Sequence, residues 1–191
     1  MGTNEKNKTP ITRRAFIRSM LVVGYSVVLG PPLYRRWKTS RIRETACILK
    51  ASDYQTEISG RIIEGLAEIG FSRPAIQGKR ILLKPNLVEV LAGSPQINTD
   101  PAVILGAAQA FRSLGAAEVV VAEGPGHCRD TFQILEESGL YPLLKEERIS
   151  FVDINFDDVY AVANSGRKTD LKSMYFPATL QRMDLIVSLA K

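Results

Sequence analysis

A small set of residues has the types and spacing to bind and act on an anion. "ILLKPN", residues 81–86, runs apolar and then stops on Lys84, Pro85 and Asn86. These are a cation, a residue that cannot extend a strand ladder, and an amide. "VVVAEGPG", residues 119–126, ends on Glu123 and then Gly124-Pro125-Gly126. A carboxylate placed directly after "VVVA" must reach solvent, a cation or a substrate to escape a desolvation cost. Lys84 and Glu123 are therefore the candidate catalytic residues, Lys84 supplying positive charge and Glu123 an acid/base or metal-ligand role. Asn86, Thr99, Asp100, Gly124, Gly126, Arg129 and Lys191 are the candidate ligand-binding positions.

Each position also has a plainer reading. Asp100 precedes Pro101 and reads first as a helix cap, with Thr99 beside it in a similar role. Lys84 could be a snorkelling strand end, and Gly-Pro-Gly is first of all a turn. Reading residues 124–129 as Gly-x-Gly-x-x-Gly puts Arg129 in the third glycine's place, and nothing fits a P-loop. A Rossmann cofactor is not supported. His127 and Cys128 are adjacent and lack an orienting third group, which disfavours a nucleophile and base. Asp153, Asp157 and Asp158 flank an expected hairpin, where turn chemistry outweighs a metal site, so no metal ligands are assigned.

The elements that must position these groups follow from periodicity. "ACILKA", 46–51, has the length of a first strand, and Cys47 falls within it. Residues 54–70 place Ile58, Ile62, Ile63, Leu66 and Ile69 at helical spacing, with Gly70 able to end the helix. "RILLK" gives a second strand and so a βαβ unit. The segment from Asp100 to Gly115 reads as a capped helix, "EVVVAE" as a central strand covered on both faces, and "DTFQILEESGL" as a helix closed by Gly139. "ISFVDIN", "VYAVAN", "SMYFPATL" and "DLIVSLAK" read as four strands with little helix between them, so antiparallel pairing is expected in the C-terminal third. The fold class is α/β: a mostly parallel sheet with flanking helices in three layers. The stop at Lys191, directly after an apolar strand, reads as an incomplete C-terminus. In such sheets ligands bind outside the carboxyl ends of the strands, where Lys84, Glu123 and Lys191 would share one rim.

Charge separates the chain into two parts. Residues 1–43 hold ten Lys and Arg against one Glu, whereas residues 44–191 hold fifteen basic and nineteen acidic residues. The basic charge belongs to the N-terminal segment, and the mildly acidic domain 44–191 does not suit nucleic acid. Two cysteines, Cys47 and Cys128, exclude a zinc ribbon or four-cysteine iron-sulfur site within this chain, and the cofactor stays unassigned. The uncharged run 19–34, broken by Gly24, Gly30, Pro31 and Pro32, is shorter than the roughly 20 residues of a membrane-spanning helix and is closer to a signal h-region.

Thr12-Arg13-Arg14-Ala15-Phe16-Ile17-Arg18 resembles the twin-arginine (Tat) export signal, with Ile17 and Arg18 as mild departures from its Leu-Lys ending. Arg13, Arg14 and Phe16 carry the resemblance. It implies recognition by the Tat translocase and folded export across a prokaryotic cytoplasmic membrane, often with a cofactor in place. No Ala-x-Ala follows, so an uncleaved anchor formed by residues 19–34 is the alternative to cleavage.

The order of motifs carries a second resemblance. "ILLKPNLVE", "NTDPAVILGAAQAFRSLGAAEVVVAEGPG", "ESGL", "VDIN" and "MDLIVSLAK" together resemble the domain of unknown function 362 family across residues 46–191. The resemblance implies further strands and helices beyond a Lys-x-His segment that this chain lacks. Some members carry ferredoxin-like cysteine clusters, also lacking here, and the family implies no established activity. Three readings follow: a binder of a small anionic molecule with an enzymatic role, an iron-sulfur-associated redox accessory protein, and a non-catalytic periplasmic binding module.

Overall fold

The computed structural model describes residues 44–54, 57–90, 97–126, 129–166 and 168–190. The chain divides into the units Met1–Thr45 and Ala46–Lys191, and every element below belongs to the second.

Helix α1 (Ile58–Glu68) begins where the Glu57 carboxylate accepts the Gly60 amide at 3.1 Å. Its apolar stripe turns Ile62, Ile63 and Leu66 toward the core. A one-turn helix α2 (Arg73–Ile76) leads into strand β1 (Arg80–Pro85). Helix α3 (Pro101–Ser113) starts with Pro101 at its first position and Asp100 as its cap, Oδ1 accepting the Ala102 amide at 2.9 Å. Its Gly106 lets α1 approach closely, since a Cβ there would stand 2.8 Å from Cγ2 of Ile58.

Strand β2 (Glu118–Glu123) follows, then α4 (Thr131–Glu137), α5 (Leu140–Glu146) and β3 (Ser150–Asp153). Gly139, at φ 71°, ends α4 as its position predicts, but the chain resumes helix at once as α5, which the sequence reading omitted. Strands β4 (Val159–Ala163) and β5 (Ser173–Pro177) pair antiparallel as a separate two-stranded sheet. A short 3₁₀ helix (Ala178–Arg182) replaces the second half of the expected "SMYFPATL" strand before β6 (Leu185–Leu189).

The main sheet has the order β3-β2-β1-β6, and all its neighbours are parallel. Ile81, Leu83, Val119 and Val121 join Ile104, Phe111, Leu135, Leu140 and Leu144 in one core. Leu82, Val120 and Ala122, which alternate with them, are also buried, so both faces of β1 and β2 are covered. The fold is thus α/β, with a parallel sheet, flanking helices and an antiparallel pair in the C-terminal third. Among the described residues no helix is long and apolar enough to cross a membrane.

One expected element is absent. Residues 46–51 form no strand; they are exposed, Ile48 almost completely, and Leu49 lies against α1 beside Gly65. Neither edge of β1 is open to this segment, because β2 pairs on one side and β6 on the other. A 104-residue separation hides that pairing from local pattern, yet it is firmly set: Arg80 N donates to Asp184 Oδ2 at 2.9 Å and Asp184 N to Arg80 O at 2.9 Å. Cys47 is accordingly an exposed free thiol, not a strand residue.

Candidate functional site at the carboxyl edge of the sheet

Because the four strands are parallel, Pro85, Glu123, Asp153 and Leu189 end on one edge. The register sets Lys84 beside Ser188 and Glu123 beside Asp153. Lys84 Nζ donates to Glu123 Oε2 at 2.5 Å, and Glu123 Oε1 accepts the Gly124 amide at 2.9 Å. The Glu123 side chain is 7% exposed and that of Lys84 is 43% exposed. A covered carboxylate therefore holds the ammonium of a lysine whose side chain is half-exposed. That ammonium has three donors, one of which serves Glu123.

The loop after β1 is closed by its own polar residues. Thr99 Oγ1 accepts the Asn86 amide at 2.8 Å and donates to Leu189 O at 2.6 Å, while Thr99 N donates to Asn86 O at 2.8 Å. Thr99 is 3% exposed and joins the ends of β1 and β6. Asn86 Nδ2 donates to Ile97 O at 2.9 Å. Asn98, not singled out in the sequence, accepts the Val88 amide and donates to Glu89 O, both at 2.8 Å. Asp100 stands at the same edge as the α3 cap.

The loop after β2 packs against the loop after β3. A Cβ on Gly124 would stand 2.4 Å from Asn155 Oδ1, so glycine is what lets Asn155 sit there and donate Nδ2 to Pro125 O at 2.8 Å. Asn155 was missed in the sequence except as the end of "VDIN"; only a contact across 31 positions reveals its part. Around Gly126 the space is open. Arg129 forms an ion pair with Glu89 and does not join the Lys84–Glu123 pair. Asp153 Oδ1 accepts the Asn155 amide at 3.0 Å, and Asp157 Oδ2 accepts the Thr179 amide at 2.7 Å, which holds the Asp157 carboxyl below the usual aspartate value. Among the described residues, no group of three His, Cys, Asp or Glu side chains is placed to hold a metal ion. Lys191, His127, Cys128, the signal residues Arg13, Arg14 and Phe16, and the 19–34 run lie outside the described residues.

Chemically, the edge offers an ammonium, a covered carboxylate and the open Gly126 turn. That arrangement suits charge stabilisation paired with proton transfer.

No curated protein and no solved structure matches the chain. The model of the domain of unknown function (DUF362) matches residues 81–191, more than half of the 191. The match begins at the second residue of β1 and takes in all four strands of the parallel sheet and the loops at their carboxyl ends. The chain therefore belongs to the family of the domain of unknown function, DUF362.

Proposed function

We propose that the carboxyl edge of the sheet binds a small anionic molecule beside Lys84 and that the Lys84–Glu123 pair acts on it. The observation that carries this reading is the pair itself: a carboxylate 7% exposed, bonded at 2.5 Å to a lysine that keeps 43% of its side chain open, on adjacent parallel strands. Lys84 would supply charge to the bound anion, the open turn at Gly126 a backbone donor, and Glu123 proton transfer beside it. Asn86, Thr99 and Asp100 would serve by holding the rim in shape, and Lys191 completes the proposed set; Arg129, paired with Glu89, stands outside it.

We further propose that the chain is exported. The Thr12–Arg18 string and the uncharged run behind it support recognition by the Tat translocase, with residues 19–34 either removed or kept as an anchor. Its place is then the outer side of a prokaryotic cytoplasmic membrane.

The test is calorimetric titration of the full chain with inorganic phosphate and with small mono- and dicarboxylates, repeated on Lys84→Ala and Glu123→Gln. Saturable binding that Lys84→Ala removes is expected. If no anion binds saturably, or if Lys84→Ala binds as well as the parent, the reading is wrong. Turnover that Glu123→Gln abolishes while binding persists would make the site an active site; binding with no turnover would make it a binding module.

A further inference from the structure

We propose a second site beside this edge: a groove that takes an organic cation carried on a flat or apolar body. The groove measures about 490 Å³ and is lined by Arg129, Asp130, Thr131, Phe132, Asp153 and Phe156. That volume lies within the range of about 300–1,000 Å³ found for small-molecule sites. It is open to the same side as the strand ends, since Asp153 closes β3 there.

Two features mark it as a ligand surface. Phe132 and Phe156 are 62% and 87% exposed, yet both line this one concavity, where a ligand would cover them together. Thr131 is 4% exposed and its hydroxyl has no hydrogen-bond partner among the described residues. Buried hydroxyls are seldom left so.

Charge selects the class of ligand. Among the described lining residues the one cation, Arg129, is held in an ion pair with Glu89, and a recess of about 110 Å³ that it also lines is bordered by Glu89, Asp130 and Glu137. Asp130 gives Oδ1 to the Gln133 amide and Asp153 gives Oδ1 to the Asn155 amide. Each keeps a second carboxylate oxygen with no donor among the described residues. Beside that paired guanidinium, the described lining offers two exposed phenyl rings, whose faces are negative at their centres, and two carboxylates. That set attracts an ammonium or quaternary ammonium attached to an apolar body and disfavours an anion.

The experiment compares three probes that share one ring, benzyltrimethylammonium, benzyl alcohol and benzenesulfonate, titrated into the full chain by calorimetry. The cation is expected to bind saturably and at least about tenfold more tightly than the alcohol, with no saturable binding of the sulfonate. Phe156→Ala, at a position too exposed to matter for folding, and Asp153→Asn should each weaken the cation by about fivefold or more. Lys84→Ala should leave it unchanged, which separates this site from the anion site. The proposal is overturned if the sulfonate binds as well as the cation, if the cation does not saturate, or if Phe156→Ala binds it like the parent.

Discussion

Lys84 and Glu123 lie 39 residues apart and meet at 2.5 Å where β1 and β2 end side by side. The pair is asymmetric, the carboxylate covered and the lysine side chain half-exposed. Removing the lysine strands a charge that has lost contact with water, whereas removing both charges strands nothing. Lys84→Met should therefore cost about 1–3 kcal/mol, between the values for exposed and fully buried pairs. Adding Glu123→Gln, which keeps the acceptor for the Gly124 amide, should recover most of that loss. Urea unfolding of the two singles and the double closes the cycle. Additive losses would show that the two side chains are not coupled.

Gly124 is the tightest point of the edge. A methyl group there would push on Asn155 Oδ1, 2.4 Å away, and its amide is fixed by the bond to Pro125 O. Gly124→Ala is expected to lose about 1–3 kcal/mol through that displaced hydrogen bond and local overpacking. Asn155→Gly in the same background should return part of it. Gly126→Ala, with open space around it, should stay within about 0.5 kcal/mol of the parent. Equal losses at the two glycines would remove the argument for a specific contact.

These residues also show what the sequence could and could not disclose. "ILLKPN" and "VVVAEG" located the Lys84–Glu123 edge because a central parallel strand is a continuous apolar run and its end is abrupt. Asp100 before Pro101 was legible as a cap for a similarly local reason. Residues 46–51 misled because an apolar run of strand length says nothing about whether a sheet edge is free. β6, more than 100 residues on, had taken the place beside β1. Asn98, Asn155 and the Arg129–Glu89 pair were hidden because each depends on two loops meeting. Asn and Glu in loops carry no periodic signal of their own.

Thr99 makes a prediction about the rim as structure. Its hydroxyl both accepts from Asn86 N and donates to Leu189 O inside a covered site. Thr99→Val keeps the shape and leaves the part-buried Asn86 amide and Leu189 carbonyl without that partner, so a loss of about 1–3 kcal/mol is expected, whereas Thr99→Ser should lose less than about 1 kcal/mol. Thermal unfolding measures both. If valine were tolerated as well as serine, the two hydrogen bonds would contribute nothing net.

The export reading is tested at the paired arginines alone. With Arg13 and Arg14 both replaced by Lys, charge is kept while the bidentate guanidinium geometry is lost. The full chain is then expected to accumulate on the cytoplasmic side, as measured by fractionation and protease protection in cells that have a Tat translocase. A variant exported as well as the parent would remove the translocase from the proposal.

Acid should weaken the attachment of β6 and of the 3₁₀ helix before it. The Asp157 carboxyl is held below its usual value chiefly by the Thr179 amide, and that of Asp184 chiefly by the Arg80 guanidinium and then by the Arg80 amide. A carboxyl whose folded pKa lies below its unfolded value, about 3.9 for Asp, contributes stability that is fully present above that value. The contribution is lost as the pH falls through the folded pKa, so it should be intact at about pH 6 and decline below about pH 4. Arg80 is itself raised further and stays charged throughout, so it adds no slope in this range. Thermal midpoints of the parent, Asp157→Asn and Asp184→Asn from about pH 6 to 2.5 should show a shallower acid decline in each variant. Salt separates the two causes. At about 1 M the Debye length falls to about 3 Å, so the solvent-facing Arg80–Asp184 contribution should shrink, whereas the Asp157 hydrogen bond to a backbone amide should persist. If the decline is as steep in both variants as in the parent, the acid sensitivity lies in other carboxyls.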